Sequence, residues 1–503
     1  MFKSFYQKWS FLFKLRLFFG VLLLILILIF LYLKIVPFGH ISYVRSYPEF
    51  IKSGKGFIYG FSPAERIDLK SGDYPKLIGD PVYFSVFTPR TFDTAKLTIK
   101  YRSHLSSHEP IIEAGVLADN IVWSYDLKPL QNKIIDSLKT NWSRLENGSK
   151  VFLQRDGKYS SWAELEGDLN KGRLQNCPEG INSCLATYNY KVPSHYQQPN
   201  LNNSMPLVIE TPLRGAHQLY IYLNNQPFHL EFNFINLRQD KADDPILINV
   251  YAVNENNKLI SSKYLADDQK KTASLNSDSE IKKIIIDEKN LSNGLYKVEI
   301  KVRDDTVIKK ISSSVDKLVF INKIWPVSAD MPLSLWTDSD YLQAKVYSPA
   351  SRQTINFAGK DFILDEPYKQ FDLIVDNPQS AKEIKLNKDD VILENNGVFS
   401  FSKSSLFNPD PHKIDRFFKI DDNIKYIIAD YEAPLDYVEN GFKTKTISFN
   451  TKTAYRENSK YNFMISIPGL NSSASSSDYL EIKEIRLDFS GRTLWQKLFK
   501  KNI

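Results

Sequence analysis

The chain has 503 residues, 43% hydrophobic and 24% charged, with 20 Gly, 24 Pro and two Cys. These values exclude a disordered or fibrous chain and a disulfide-stapled mini-scaffold, and the length suits about three domains of about 150 residues each. The net charge of +7 is confined to the ends: Lys3, Lys8, Lys14, Arg16 and Lys34 in the first 40 residues, and Arg492, Lys497, Lys500 and Lys501 in the last 13, meet no acid there, leaving −2 on residues 41–490. So balanced a central region excludes a general basic footprint for nucleic acid.

Residues 1–16 read as a short cytoplasmic tail. Leu17 to Leu33 is an unbroken uncharged run, extended by Ile35 and Val36 past Lys34. About 20 such residues cross about 30 Å of hydrocarbon. The run exceeds a usual signal-peptide core, and no small-residue cleavage site follows it. Residues 17–36 therefore read as a signal anchor. Four basic residues precede it, so the positive-inside rule keeps the N-terminus in the cytoplasm. The expected location is a plasma (inner) membrane crossed once, with the bulk outside the cytoplasm. The Lys, Asn and Ile richness points to a bacterial, low-GC source.

Residues 37–80 are expected to form a membrane-proximal segment leading into a first strand at Pro81 to Phe87. Beyond them the dominant signal is period-two alternation, the mark of half-buried strands. Leu97, Ile99 and Tyr101 alternate with Lys96, Thr98, Lys100 and Arg102. Phe228, Leu230, Phe232 and Phe234 form a second set, and Ile246, Ile248, Val250 and Ala252 a third. Tyr296, Val298, Ile300 and Val302 form a fourth, and Tyr461, Phe463, Ile465 and Ile467 a fifth. Leu480 and Ile482 are out of phase with Ile485, Leu487 and Phe489, which predicts a β-bulge at Lys483-Glu484. The expected class is all-β dominated: a transmembrane helix, then about three β-sandwich domains, jelly-roll or Ig-like, at 81–205, 206–325 and 327–490. A small helical insertion is expected in the first, from the apolar spacing over 131–147 and a capping box at Ser161 to Glu164. The loop 267–280 is polar and weakly patterned.

The segment Leu291 to Ile300, LSNGLYKVEI, resembles the L-x-x-G-x-Y strand common in extracellular β-sandwich modules. That resemblance implies fold and no activity.

Motifs for chemistry are sparse. The serine elbow, zinc-protease, Walker and dinucleotide fingerprints are absent, so binding is favoured over catalysis. Asp240, Asp243 and Asp244 cluster between strands and form a candidate calcium site, calcium being the one cofactor the sequence suggests. Asp338 and Asp340 form a D-x-D, which turn chemistry also produces. His104 and His108 lie in a loop rather than on a helix. Trp123 and Trp336 are candidate faces for sugar rings, within a set that includes Trp142, Trp162 and Trp325. Cys177 and Cys184 bracket a short polar loop and suit a disulfide in an oxidising compartment. The tail 491–503 is a basic amphipathic segment. Leu494, Trp495, Leu498 and Phe499 share one helical face, with Lys497, Lys500 and Lys501 away from it, which suits a lipid interface. The expected role is binding or cell-envelope organisation, toward a polysaccharide or a surface protein partner. A glycan-active enzyme and a purely structural spacer are the alternatives.

Overall fold

The computed structural model describes residues 11–36, 38–46, 56–69, 73–106, 109–177, 183–193, 205–237, 244–255, 257–267, 281–327, 331–376, 380–436, 441–471 and 478–499. The protein is mostly β-strand, with an apolar N-terminal helix over Phe11–Ile35. That helix is long and apolar enough to cross a membrane and is exposed over Phe13–Tyr32. Strands group into two compact units. The first joins both ends of the chain, Met1–Ser137 with Ala433–Ile503; the second is the intervening Leu138–Glu432.

The first unit is a sandwich of two antiparallel sheets. In one, the strand Leu480–Ser490 lies between His40–Ser46 and Thr94–Ser103, and the latter also pairs with Lys443–Asn450. In the other, the order is Ile58–Ser62, Val82–Phe87, Lys460–Ser466, Ile111–Asp119 and Ser124–Asn132. Their inner faces meet in one core that contains Leu97, Ile99, Tyr101, Ile485 and Leu487 from the first sheet and Phe84, Val116, Tyr461 and Phe463 from the second. Each Leu, Ile or Phe buried there contributes about 1.5–3 kcal/mol. The bulge is present: Ile482 opposes Tyr101 and Glu484 opposes Lys100, so the register shifts across Lys483. This extra residue lets both Ile482 and Ile485 face the core.

The described residues of the second unit form three sheets. The largest runs from Lys258–Leu265 through Ile246–Ala252, Gly294–Lys301, His217–Leu223 and Leu318–Ile324 to Val391–Ser400 and beyond. A five-stranded sheet built on Phe228–Asn236 shares its core, where Phe232, Phe234 and Ile286 meet Ile248 and Val298. In the L-x-x-G-x-Y segment the Tyr296 hydroxyl donates to the Ser292 carbonyl at 2.7 Å, closing a tyrosine corner. Gly294 suits this position because its backbone, at φ +144, takes a conformation that other residues rarely adopt. The third sheet is mixed, with Leu185–Tyr188 parallel to Tyr426–Asp430. The helix Trp162–Leu169 packs on it through Leu165 and Leu169, beside Phe152 and Tyr426. Ser161 caps that helix, its side chain accepting from Glu164 N.

Several expectations need correction. Val82–Phe87 is not the first strand: residues 37–80 already contain His40–Ser46 and Ile58–Ser62, each paired into a sheet. The helix expected over 131–147 is reduced to Lys133–Leu138, flanked by strands Ser124–Asn132 and Ser143–Asn147. Asn132 Oδ1 accepts from Ile135 N and opens the helix. The two-residue turn Gly148-Ser149, with Gly148 at φ +64, closes a hairpin to Lys150–Gln154. The helix Trp162–Leu169 belongs to the second unit. Strand pairing also cuts across the boundaries read at 205 and 325. Leu318–Ile324 pairs with both His217–Leu223 and Val391–Ser400, while strands before residue 103 pair with strands after 443. Composition breaks mark loops, and a loop does not say which strand its chain will pair with next. The loop residues 268–280 lie outside the described residues.

Candidate functional site

The outer face of the second sheet in the first unit gathers aromatic side chains around a glycine. Val82, Phe84 and Val86 point to the core, so Tyr83 and Ser85 point outward by strand alternation. Tyr83 opposes Met464, Met464 opposes Gly115, and Gly115 opposes Leu127. Directly opposed residues share a face. Gly115 is needed because a Cβ would meet Leu127 Cδ2 at 2.8 Å and Tyr125 Cβ at 3.2 Å. Over this row the rings of Tyr83 and Tyr125 approach to 5.7 Å between centroids, tilted by 39°. Beside them Ser85 Oγ donates to Asn462 Oδ1 at 2.7 Å, and Tyr59 lies under Lys460 Nζ at 5.3 Å.

The hairpin that carries Tyr125 ends in Trp123, which is 62% exposed. Asp119 Oδ1 accepts from the backbone of Ile121 and Val122 and rigidifies this tip, while Trp123 itself takes φ +48. Burial pushes the Tyr83 hydroxyl up, and burial with Tyr83 nearby pushes Tyr125 up to about 12. Both stay neutral near pH 7, as phenols able to donate and accept. Sequence reasoning found Trp123 but missed Tyr59, Tyr83 and Tyr125. The signal was there: VYFSVF alternates an apolar inner set with an aromatic outer residue.

Trp336, the other expected aromatic face, lies in the second unit and is half-buried, with Lys403 Nζ 5.6 Å from its ring centre. Trp325 is core, 1% exposed, with its Nε1 donating to Asp390 and Arg214 stacked on its ring. Arg155 covers Trp142, and Trp162 Nε1 donates to Glu166. The D-x-D is structural. Asp338 accepts from Val398 N and Asn408 Nδ2, and Asp340 pairs with the buried Lys382 at 2.8 Å.

Of the calcium candidates, Asp240 and Asp243 lie outside the described residues. Asp244 is buried, accepts from Asn236 Nδ2 at 2.9 Å, and has Arg303 Nε 3.5 Å away. Burial raises its carboxyl above the usual range, and Asp305 and Asp267 add to the shift. Among the described residues no group of three or more His, Cys, Asp or Glu is arranged to hold a metal ion. His104 stacks on Tyr479 and lies 3.5 Å from Glu481; His108 lies outside the described residues.

A catalytic carboxylate would need a raised pKa and a free oxygen beside an aromatic surface. Asp415 meets the first condition, through burial, and its neighbour Phe417 stacks on Tyr341. Its carboxylate, however, is hydrogen-bonded by the backbone of Phe417 and Phe418 and by Asn396, which fixes it as a turn cap.

Cys177 and Cys184 form a disulfide beside the helix Trp162–Leu169. The C-terminal segment forms a short helix, Leu494–Phe499, in which Trp495 is 67% exposed. The side chains of Leu498 and Phe499, and all of Lys500 and Lys501, lie outside what is described.

No family model matches the sequence, and no curated protein does. Among solved structures, dimeric latent PorU from Porphyromonas gingivalis aligns at 8% identity and TM-score 0.15 over 61% of this chain, which spans 32% of PorU. The N-terminal CBM22-1-CBM22-2 tandem domain of Xyn10C from Paenibacillus barcinonensis aligns at 7% identity and TM-score 0.14, covering 54% of this chain and 80% of that one. A VP2 protein of infectious bursal disease virus aligns at 8% and TM-score 0.13, covering 91% and 76%. All three are similarities of low score.

Proposed function

We propose that this is a membrane-anchored, extracytoplasmic binding protein whose first unit recognises an envelope polysaccharide. The observation that carries the reading is the exposed Trp123, held on a rigid hairpin tip that also carries Tyr125 beside Tyr83. Sugar rings stack on flat aromatic faces, and neutral phenols, Ser85 and Asn462 provide hydrogen-bonding groups beside them. The anchor reading is supported by the apolar Phe11–Ile35 helix, by the basic residues before it and by a disulfide suited to an oxidising compartment.

The test is isothermal titration of the full chain in nanodiscs against a panel of bacterial envelope polysaccharides. Trp123→Ala combined with Tyr125→Ala should weaken binding about tenfold or more, from stacking contributions of about 0.5–1.5 kcal/mol per aromatic contact. Trp336→Ala should leave affinity unchanged. Binding that survives the double variant would reject this face as the site.

A further inference from the structure

The strand that follows the N-terminal helix pairs antiparallel with the last strand of the chain: His40 opposes Ser490 and Ser46 opposes Glu484. The first of these strands runs away from the helix, so the last runs back toward it. The junction is tight. Gly39 N donates to Val36 O at 2.9 Å, and Gly491 N donates to Gly39 O at 2.8 Å. A Cβ on Gly39 would sit 2.5 Å from Gly491 O and 3.0 Å from Thr493 N. Val36 packs on the core of the first unit. The C-terminal helix Leu494–Phe499 thus begins just beyond a backbone contact with the exit of the apolar helix. Its start is well formed, for Thr493 Oγ1 accepts from Gln496 N at 3.2 Å and Gln496 Oε1 accepts from Thr493 N at 3.0 Å, a capping box. Arg90 Nη2 donates to Arg492 O at 2.9 Å and adds a second tie.

We propose that this C-terminal helix lies in the headgroup layer of the bilayer that the N-terminal helix crosses, as a second contact that fixes the first unit against the membrane. This rests on the anchor reading. Three observations support it. The helix starts at the level of residue 39, where the apolar segment ends, and headgroups occupy several Å beyond the hydrocarbon on each side. Trp495 is exposed, and an interfacial Trp favours that depth. Residues 491–503 carry four basic and no acidic residues, which complements anionic lipid.

The test uses the full chain in nanodiscs made with lipid brominated either near the headgroup or deep in the acyl chain. The Trp495 signal is taken as the difference between the wild type and Trp495→Phe. Headgroup-proximal bromine should quench that difference at least twofold more than deep bromine does. A Trp495 component unaffected by either lipid, or quenched no more near the headgroup than in the acyl chain, overturns the proposal. Ile25→Trp separates the two readings, because deep bromine should quench the indole introduced at position 25 most, read as the difference from the wild type. If that indole is quenched by deep bromine while Trp495 is not quenched, only the interfacial helix is rejected. If the indole at position 25 escapes quenching, the span is rejected and the inference with it.

Discussion

The two units solve the same packing problem from opposite ends of the chain. In the second, every strand lies within residues 138–432, and the chain can complete its sheets from its own interior. In the first, strands before residue 137 pair with strands after 433, so neither end can bury its apolar face alone. The first unit carries the apolar N-terminal helix, the C-terminal helix and the aromatic face, while the second holds the disulfide and, among the described residues, the most deeply buried tryptophan. Placing the first and last strands side by side in one sheet brings the start of the C-terminal helix against residue 39, just after the apolar helix. It also makes the first unit depend on the final strand.

The sharpest way to break this contrast is to delete residues 480–503. The strand Leu480–Ser490 lies between two partners in its sheet, and its removal exposes the core around Leu97, Ile99 and Tyr101. Calorimetry should show the first unit's transition abolished and the second unit's midpoint unchanged. A matched loss of both transitions would mean that the units fold as one.

Next in size is Trp325→Ala in the second unit. It leaves a cavity beside Ile235, Val307 and Val327 and removes the partner of Asp390, at a cost of about 3–5 kcal/mol. Only the second transition should move; a shift below about 1 kcal/mol would overturn the assignment of Trp325 to the core.

A smaller effect comes from pH. His217 is buried, donates through Nδ1 to Gly215 O, and is pushed down to about 3 by burial, with Lys323 adding to it. Between that value and the usual 6.5, the unfolded chain takes up a proton that the folded chain refuses. The second unit therefore loses stability as pH falls from about 7, by about 2 kcal/mol at about pH 5. In a denaturant series against pH, His217→Asn should flatten that slope. An unchanged slope would show that another group carries it.

A change of similar size but local reach follows Cys177→Ser with Cys184→Ser. The bond closes a short loop, so its loss should cost about 2 kcal/mol, confined to the mixed sheet and its helix. Hydrogen exchange should rise over residues 159–190 and stay constant in the first unit.

Much of the strand content is legible in the residue pattern. The alternating sets at 97–101, 228–234, 246–252, 296–302, 461–467 and 480–489 are all buried as their patterns require, because side-chain period reports directly on which face meets water. The helix read over 131–147 is limited to Lys133–Leu138 because residues 143–147 form a strand that the turn Gly148-Ser149 folds back into a hairpin, a change that apolar spacing alone does not mark. In the candidate site, Trp123 stands out as a single large residue, whereas the Tyr83–Tyr125 pair is made of residues 42 positions apart, met only through three strand pairings.

Local residue patterns were enough for the apolar helix, the strand identities, the bulge and the charged ends, since each depends on neighbours within about ten positions. Only long-range pairing settles that the first and last strands lie side by side, that the chain divides at 137 and 432, and that the C-terminal helix starts against residue 39. Strand pairing is set by complementary faces and backbone hydrogen bonds between segments up to hundreds of residues apart, and no local pattern records which partner a strand will take.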